Sequence, residues 1–149
     1  MKYKIPYYKQ ETLYTCGPAT FRMVLASLGM RMSEKKVAQV LKHTRDRFMT
    51  NASFPQAAES LGFSYRVIRN GTFAQISQAL KEGYRVIVNY YHEGEEEGHF
   101  AVVRSLTSKA IGLLDPWSGP NVVYTLPHFR RVWYSGFEND KRWFFAVKK

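Results

Sequence analysis

At Phe63 the hydrophobic pattern of this chain changes period. Before it, apolar residues recur at the roughly 3.6-residue spacing of helices; after it they alternate or run together as in strands. A helical first part followed by a strand-rich second part reads as α+β, with N-terminal helices packed against a mostly antiparallel sheet. Pro18 suits a first helical position, where its missing N–H would be unpaired anyway, and Phe21, Val24, Leu25 and Leu28 follow at helical spacing up to a stop at Gly29. Ser33 begins a second helix with Val37, Val40 and Leu41 as its buried stripe. Ser53 and Gln56 have the spacing of a capping box for a third, which ends before Gly62. Segments 63–69 and 84–91 read as strands on either side of a helix opened by a Thr72–Gln75 capping box and ended at Gly83. Strands at 99–105, 110–115, 121–125 and 142–148 follow, separated by turn residues such as those of PWSGP; the last reads as a core or edge strand.

No linker, repeat or internal boundary interrupts the 149 residues, so the chain is expected to form one domain over 1–149. A chain of this length buries roughly 70% of the surface its unfolded form exposes, and needs no metal or disulfide to hold it. Cys16 is the only cysteine, which excludes an intramolecular disulfide and favours a reducing compartment, so the expected location is cytoplasmic. The N-terminal MKYKIPYYKQ has no apolar signal region, and no stretch approaches the roughly 18 apolar residues of a membrane span. A net charge of +10, from 22 Lys and Arg against 12 Asp and Glu, raises the question of a polyanionic partner. The basic residues are scattered, however, with only short clusters at 31–36, 45–47 and the C-terminus. No nucleic-acid partner is therefore expected.

The single thiol stands immediately before Gly17 and Pro18, at the N-terminus of the first helix. Unpaired N–H groups and the positive end of the helix dipole favour an anion there, and the thiolate is the form of cysteine that attacks. Gly17 lets the backbone approach a substrate without a side chain in the way. A buried, inert cysteine is the commoner fate of a lone Cys, and the position argues against it.

A nucleophile needs a base, and His43, His92, His99 and His128 compete for the role. His99 heads the strand 99–105, which a turn joins to the strand 110–115 ending in Asp115. A hairpin symmetric about residue 107 places His99 opposite Asp115, Ala101 opposite Leu113 and Val103 opposite Ile111, all on one face. Directly opposed side chains have Cβ atoms about 4.5–5.5 Å apart, close enough for a carboxylate to orient an imidazole. A slip of one residue would put the two on opposite faces.

Gln10, five intervening residues, Cys16-Gly17-Pro18-Ala19, then Gly98-His99-Phe100 leading a Val-rich strand and Asp115-Pro116 together resemble the bacteriocin-processing, double-glycine cysteine peptidases of the papain-like superfamily. The resemblance spans residues 10 to 116. It implies a papain-like fold and a peptidase in which Cys16 attacks a carbonyl carbon, His99 is its imidazolium partner and Asp115 orients His99. It also implies that Gln10, with the Cys16 backbone N–H, donates to the developing oxyanion. Gly98 and Trp117 join Gly17 as candidate substrate-binding positions. The implied substrate is a peptide or protein, with a leader peptide cut at a double-glycine site as one form and acyl transfer to an amine as an alternative to hydrolysis. Members of that family sit at the N-terminus of a membrane transporter; here the chain reads as one domain, so a transporter partner is expected to be encoded separately.

Two other functions compete: a peptide-binding domain of the same fold without the chemistry, and a basic nucleic-acid binder. The intact Cys, His, Asp and Gln set argues against the first, and the scattered charge against the second. The acidic loop HEGEEEG at 92–98 ends beside His99 and reads as a solvated loop, with gating of the cleft as the functional alternative. Adjacent glutamates lack the ligand spacing of a tetrahedral zinc site, so no metal and no cofactor are expected. Trp117 is a candidate to shield the His–Asp pair from water or to line a subsite, with core packing the default for an aromatic. His43 and His128 have no partner visible in the sequence.

Overall fold

The structure is a computed structural model that describes residues 4–43, 49–93, 97–135 and 140–149. Its helices are α1 (Cys16–Ser27), α2 (Glu34–Val40), α3 (Ser53–Ser60), α4 (Phe73–Lys81) and α5 (Leu126–Val132). The strands β1 (Ser64–Ile68), β2 (Arg85–His92), β3 (Glu97–Leu106), β4 (Ala110–Asp115), β5 (Gly119–Thr125) and β6 (Phe144–Lys148) form one sheet in the order β1-β6-β2-β3-β4-β5. Every ladder is antiparallel. The α+β expectation holds, and the last strand lies inside the sheet, between β1 and β2. Among the described residues no helix is long and apolar enough to cross a membrane.

Local chemistry explains most boundaries. Ser33 caps α2 by accepting from the Lys36 N–H, and Thr72 with Gln75 forms the reciprocal capping box of α4. The capping box expected at Ser53 does not form. The chain is already turning before it, with Ser53 N–H donating to Thr50 O at 3.1 Å, so Ala52 takes the cap position without a side-chain bond. Likewise α1 starts at Cys16, which makes Pro18 its third helical residue instead of its first; the missing N–H is still one of the four that no helix pairs internally. The helix α5 has no counterpart in the sequence reading. Its start is nonetheless written in the chain: Thr125 caps it by accepting from His128 N–H, Pro127 occupies the first turn, and Phe129 and Val132 face inward.

Strand alternation divides the core between the two sheet faces. Ile87, Phe100, Val102, Phe145 and Val147 point to the face covered by α1, α2 and α3. Val86, Val88, Tyr90, Ala101, Val103, Phe144 and Ala146 point to the other, under α4 and α5. Phe54 pins α3 to the first face, fully buried, with ring centroids 4.8 Å from Phe100, 5.7 Å from Phe21 and 5.7 Å from Phe145. Phe54→Ala is expected to cost about 3–5 kcal/mol of stability through the lost burial and the cavity left behind. Urea unfolding measures this, and a loss below about 1 kcal/mol would show that α3 is not anchored through this ring.

The β3–β4 hairpin departs from the symmetric register. Val103 pairs with Leu113 and not with Ile111; past a bulge between Val103 and Ser105, Ser105 pairs with Gly112 and Leu106 with Ile111. Arg104 is the extra residue. Gly112 makes room for it, since a Cβ there would lie 2.4 Å from Ser105 Oγ and 2.8 Å from Arg104 Nη2. His99 is therefore not directly opposite Asp115. The offset is two residues, an even number, so both side chains still emerge on the same face of the sheet.

Candidate active site

Cys16 is a free, half-buried thiol in the first turn of α1. Four residues further along the same helix face, Thr20 donates its hydroxyl to the carbonyl of Phe100 at 3.2 Å. That bond fixes the start of α1 against the strand residue that follows His99. The two expected partners are brought near each other, and the Cys16 side chain helps raise the His99 pKa. The ring nitrogen Nε2 lies 2.8 Å from Asp115 Oδ1, which leaves Nδ1 available to the thiol. His99 is 4% exposed and Asp115 fully buried.

Asp115 is held by its own turn. Its Oδ1 accepts from the backbone N–H groups of Trp117 and Ser118, both at 2.8 Å, the arrangement an aspartate makes at the head of a turn. Its Oδ2 accepts the hydroxyl of Tyr90, and its carbonyl accepts the hydroxyl of Tyr7 at 2.6 Å. Burial disfavours charge on both members of the pair, yet their mutual bond prevails. His99, with Cys16 also contributing, is pushed up to about 10, and Asp115 is held down to about 2. Imidazolium and carboxylate are thus the forms in place at neutral pH.

Gln10 is buried, and its Nε2 donates to Thr12 O at 2.7 Å while its backbone N–H donates to Pro116 O at 2.9 Å. The loop before Cys16 is thereby tied to the turn after Asp115. Gly17 does not face open space: it is buried, and a Cβ on it would lie 2.3 Å from Met49 Sδ. Its missing side chain admits the Met49 thioether. Gly98 is half-buried in β3, paired with Tyr91, and Trp117 is half-buried with the Lys9 ammonium 5.9 Å from its ring centroid. Of the other histidines, the half-buried His43 has its pKa drawn down by desolvation, opposed by the Tyr14 backbone. His128 Nε2 lies 2.8 Å from Glu93 Oε1. Residues 94–96 of the acidic loop and the basic cluster at 45–47 lie outside the described residues. Among the described residues no group of three His, Cys, Asp or Glu is arranged to hold a metal.

Of two neighbours of the pair, Tyr90 went unread in the sequence and His92 was read only as a competing base. Tyr90 is directly opposite His99 in the β2–β3 ladder, with its ring edge-on at 5.9 Å. The symmetric reading used for the β3–β4 hairpin, applied across the loop 92–98, puts Tyr91 opposite His99; the ladder, with His92 opposite Glu97, is one residue off it and brings Tyr90 there. His92 packs against His99 with ring centroids 5.0 Å apart and bonds Ser118 Oγ at 3.0 Å.

Known proteins share this architecture. The peptidase domain of Streptococcus ComA, a bi-functional ABC transporter involved in a quorum sensing pathway, superposes with a TM-score of 0.76 at 20% identity, over 98% of this chain and 100% of that one. A double glycine motif protease from an AMS/PCAT transporter, solved in complex with the leader peptide, gives 0.71 at 21% identity over 99% and 91%. The peptidase domain of Streptococcus mutans ComA gives 0.64 at 19% over 96% and 98%. At these identities the likeness is one of fold. No curated protein matches the chain. Residues 2–138 match the model of the Peptidase_C39 like family, and with helices, sheet and site arranged as above the chain belongs to that family.

Proposed function

We propose that this protein is a cysteine peptidase that cuts a peptide bond through Cys16, His99 and Asp115, working as one domain over residues 1–149. The observation that carries the reading is the His99 ring held 2.8 Å from the Asp115 carboxylate, with the Cys16 side chain near enough to help raise its pKa. In the proposed reaction the Cys16 thiolate attacks the carbonyl carbon, the C–N bond breaks, and His99 gives its proton to the leaving amine. Water, deprotonated by His99, then attacks the thioester and regenerates the thiol; an amine in its place gives acyl transfer. Asp115 keeps the ring oriented and balances its charge through both steps. One N–H of the Gln10 amide is spent on Thr12 O, and an amide nitrogen carries two. The second, with the Cys16 backbone N–H, serves the oxyanion in this reading. Gly98 and Trp117 remain the candidate substrate contacts, and Gly17 contributes by packing.

The substrate we infer is a leader peptide cut after a double glycine, by likeness to the double glycine motif protease, and the partner a transporter, by likeness to the ComA domain. The lone reduced thiol suits the cytoplasm. Cleavage profiling against a peptide library that includes Gly-Gly junctions tests the reading. Cys16-dependent cleavage after Gly-Gly is the expected result. Cleavage elsewhere overturns the double-glycine assignment, and binding without any cleavage overturns the peptidase.

A further inference from the structure

We propose that Tyr90 is a positioning residue that locks the Asp115 carboxylate so that one of its oxygens is reserved for His99. The inference rests on the triad reading above. Asp115 Oδ1 is occupied by His99 and by the N–H groups of Trp117 and Ser118, whereas the single donor to Oδ2 among the bonds described is the Tyr90 hydroxyl. A carboxylate turns easily about its terminal torsion, which is broad and roughly two-fold. Without a donor on Oδ2, the buried group has reason to rotate toward whatever donors it can share, because an unpaired buried oxygen is costly. His99 then loses a fixed acceptor. Tyr90 is suited to prevent this, since it is fully buried, sits directly opposite His99 in the ladder and meets that ring edge-on.

Tyr124 flanks the Tyr90 ring, edge-on with centroids 5.7 Å apart, and helps hold that ring in place. Tyr90 has one hydroxyl proton and gives it to Asp115. The polar groups facing Tyr90 are His92 on its own strand, His99 from β3, Asp115 from β4 and Tyr124 from β5; α5 contributes the apolar Phe129. Beyond Tyr124 lie His128, edge-on at 5.0 Å, and its partner Glu93.

The test uses the full chain and the rate at which iodoacetate alkylates Cys16, measured across pH. An anionic reagent attacks the thiolate fastest while the neighbouring imidazolium is present, so the fall of the rate on the alkaline side reports the loss of the His99 proton. Tyr90→Phe keeps the ring and removes the hydroxyl. It is expected to move that alkaline fall down by about one pH unit, a tenfold change in the His99 proton equilibrium. Tyr124→Phe, which keeps the flanking ring, is expected to leave it in place, and Asp115→Asn to move it by more than Tyr90→Phe. A folded Tyr90→Phe whose profile superposes on wild type, or is lowered equally at every pH, while Asp115→Asn shifts it, overturns the role of Tyr90 alone. An Asp115→Asn profile that also superposes overturns the triad reading beneath it. Should Tyr90→Phe fail to fold, Tyr90→Met, an adaptable apolar filler without the hydroxyl, decides: an unmoved alkaline fall overturns the proposal.

Discussion

Replacing Cys16 with alanine is expected to remove turnover of every peptide that the wild type cleaves, by a factor on the order of 10⁶, the size seen when a nucleophile of a catalytic triad is deleted. No second thiol can stand in, because Cys16 is the only cysteine in the chain. The protein should remain folded. Alanine is the best helix former, the site is half-buried, and α1 stays anchored through Thr20 and the apolar residues behind it. A double-mutant cycle sharpens the result. If Cys16 and His99 act as one unit, then His99→Ala costs nearly as much as Cys16→Ala, and the two together cost no more than either alone. Additive losses, or residual turnover in Cys16→Ala, would mean that the chemistry runs through other groups.

How much of this was legible beforehand depends on the range of the interaction behind each feature. The Thr72–Gln75 box and the Ser33 cap are complete within four residues, and both formed as read. Ser53 and Gln56 have the same spacing, but a turn beginning at Thr50 brought the chain into α3 early, and nothing in the tetrapeptide reports that. The hairpin between His99 and Asp115 was read with the correct faces and the wrong register. Parity follows from alternation along the strands, whereas the bulge at Arg104 depends on the space that Gly112 leaves on the neighbouring strand. Gly17 shows the same limit: the need for a missing Cβ was legible, but its cause is Met49, thirty-two positions later in the chain. Tyr90 was overlooked because an aromatic within an apolar strand looks like core, and its packing is indeed core; only its hydroxyl belongs to the site.

Asp115→Asn carries the second large effect, and its direction follows from the donors around the carboxylate. An amide nitrogen in place of Oδ1 would face the N–H groups of Trp117 and Ser118, so the amide must keep its oxygen there and turn its NH₂ toward Tyr90. Tyr90 can accept that bond by turning its own proton away from residue 115, which lets the fold survive with an uncharged partner behind His99. Turnover is expected to fall by about 10⁴, the cost of the same change in a serine triad. Stability shifts in a defined pH window. His99 rises from an ordinary 6.5 to about 10 in the fold, so its contribution is full below pH 6.5 and is lost as pH climbs through 10. Asp115 drops from an ordinary 3.8 to about 2, so its contribution is present above pH 3.8 and is lost as pH falls through 2. The pair therefore stabilises most between about pH 4 and 6.5. Thermal unfolding of wild type and variant across pH 4–10 measures this as a difference between two curves, which cancels groups common to both, such as the half-buried His43. The gap should be widest near pH 5 and narrow steadily toward pH 10. A gap that stays constant over that range would mean that the native His99 carries no proton beyond its ordinary pKa, and that Asp115 holds the ring by shape alone.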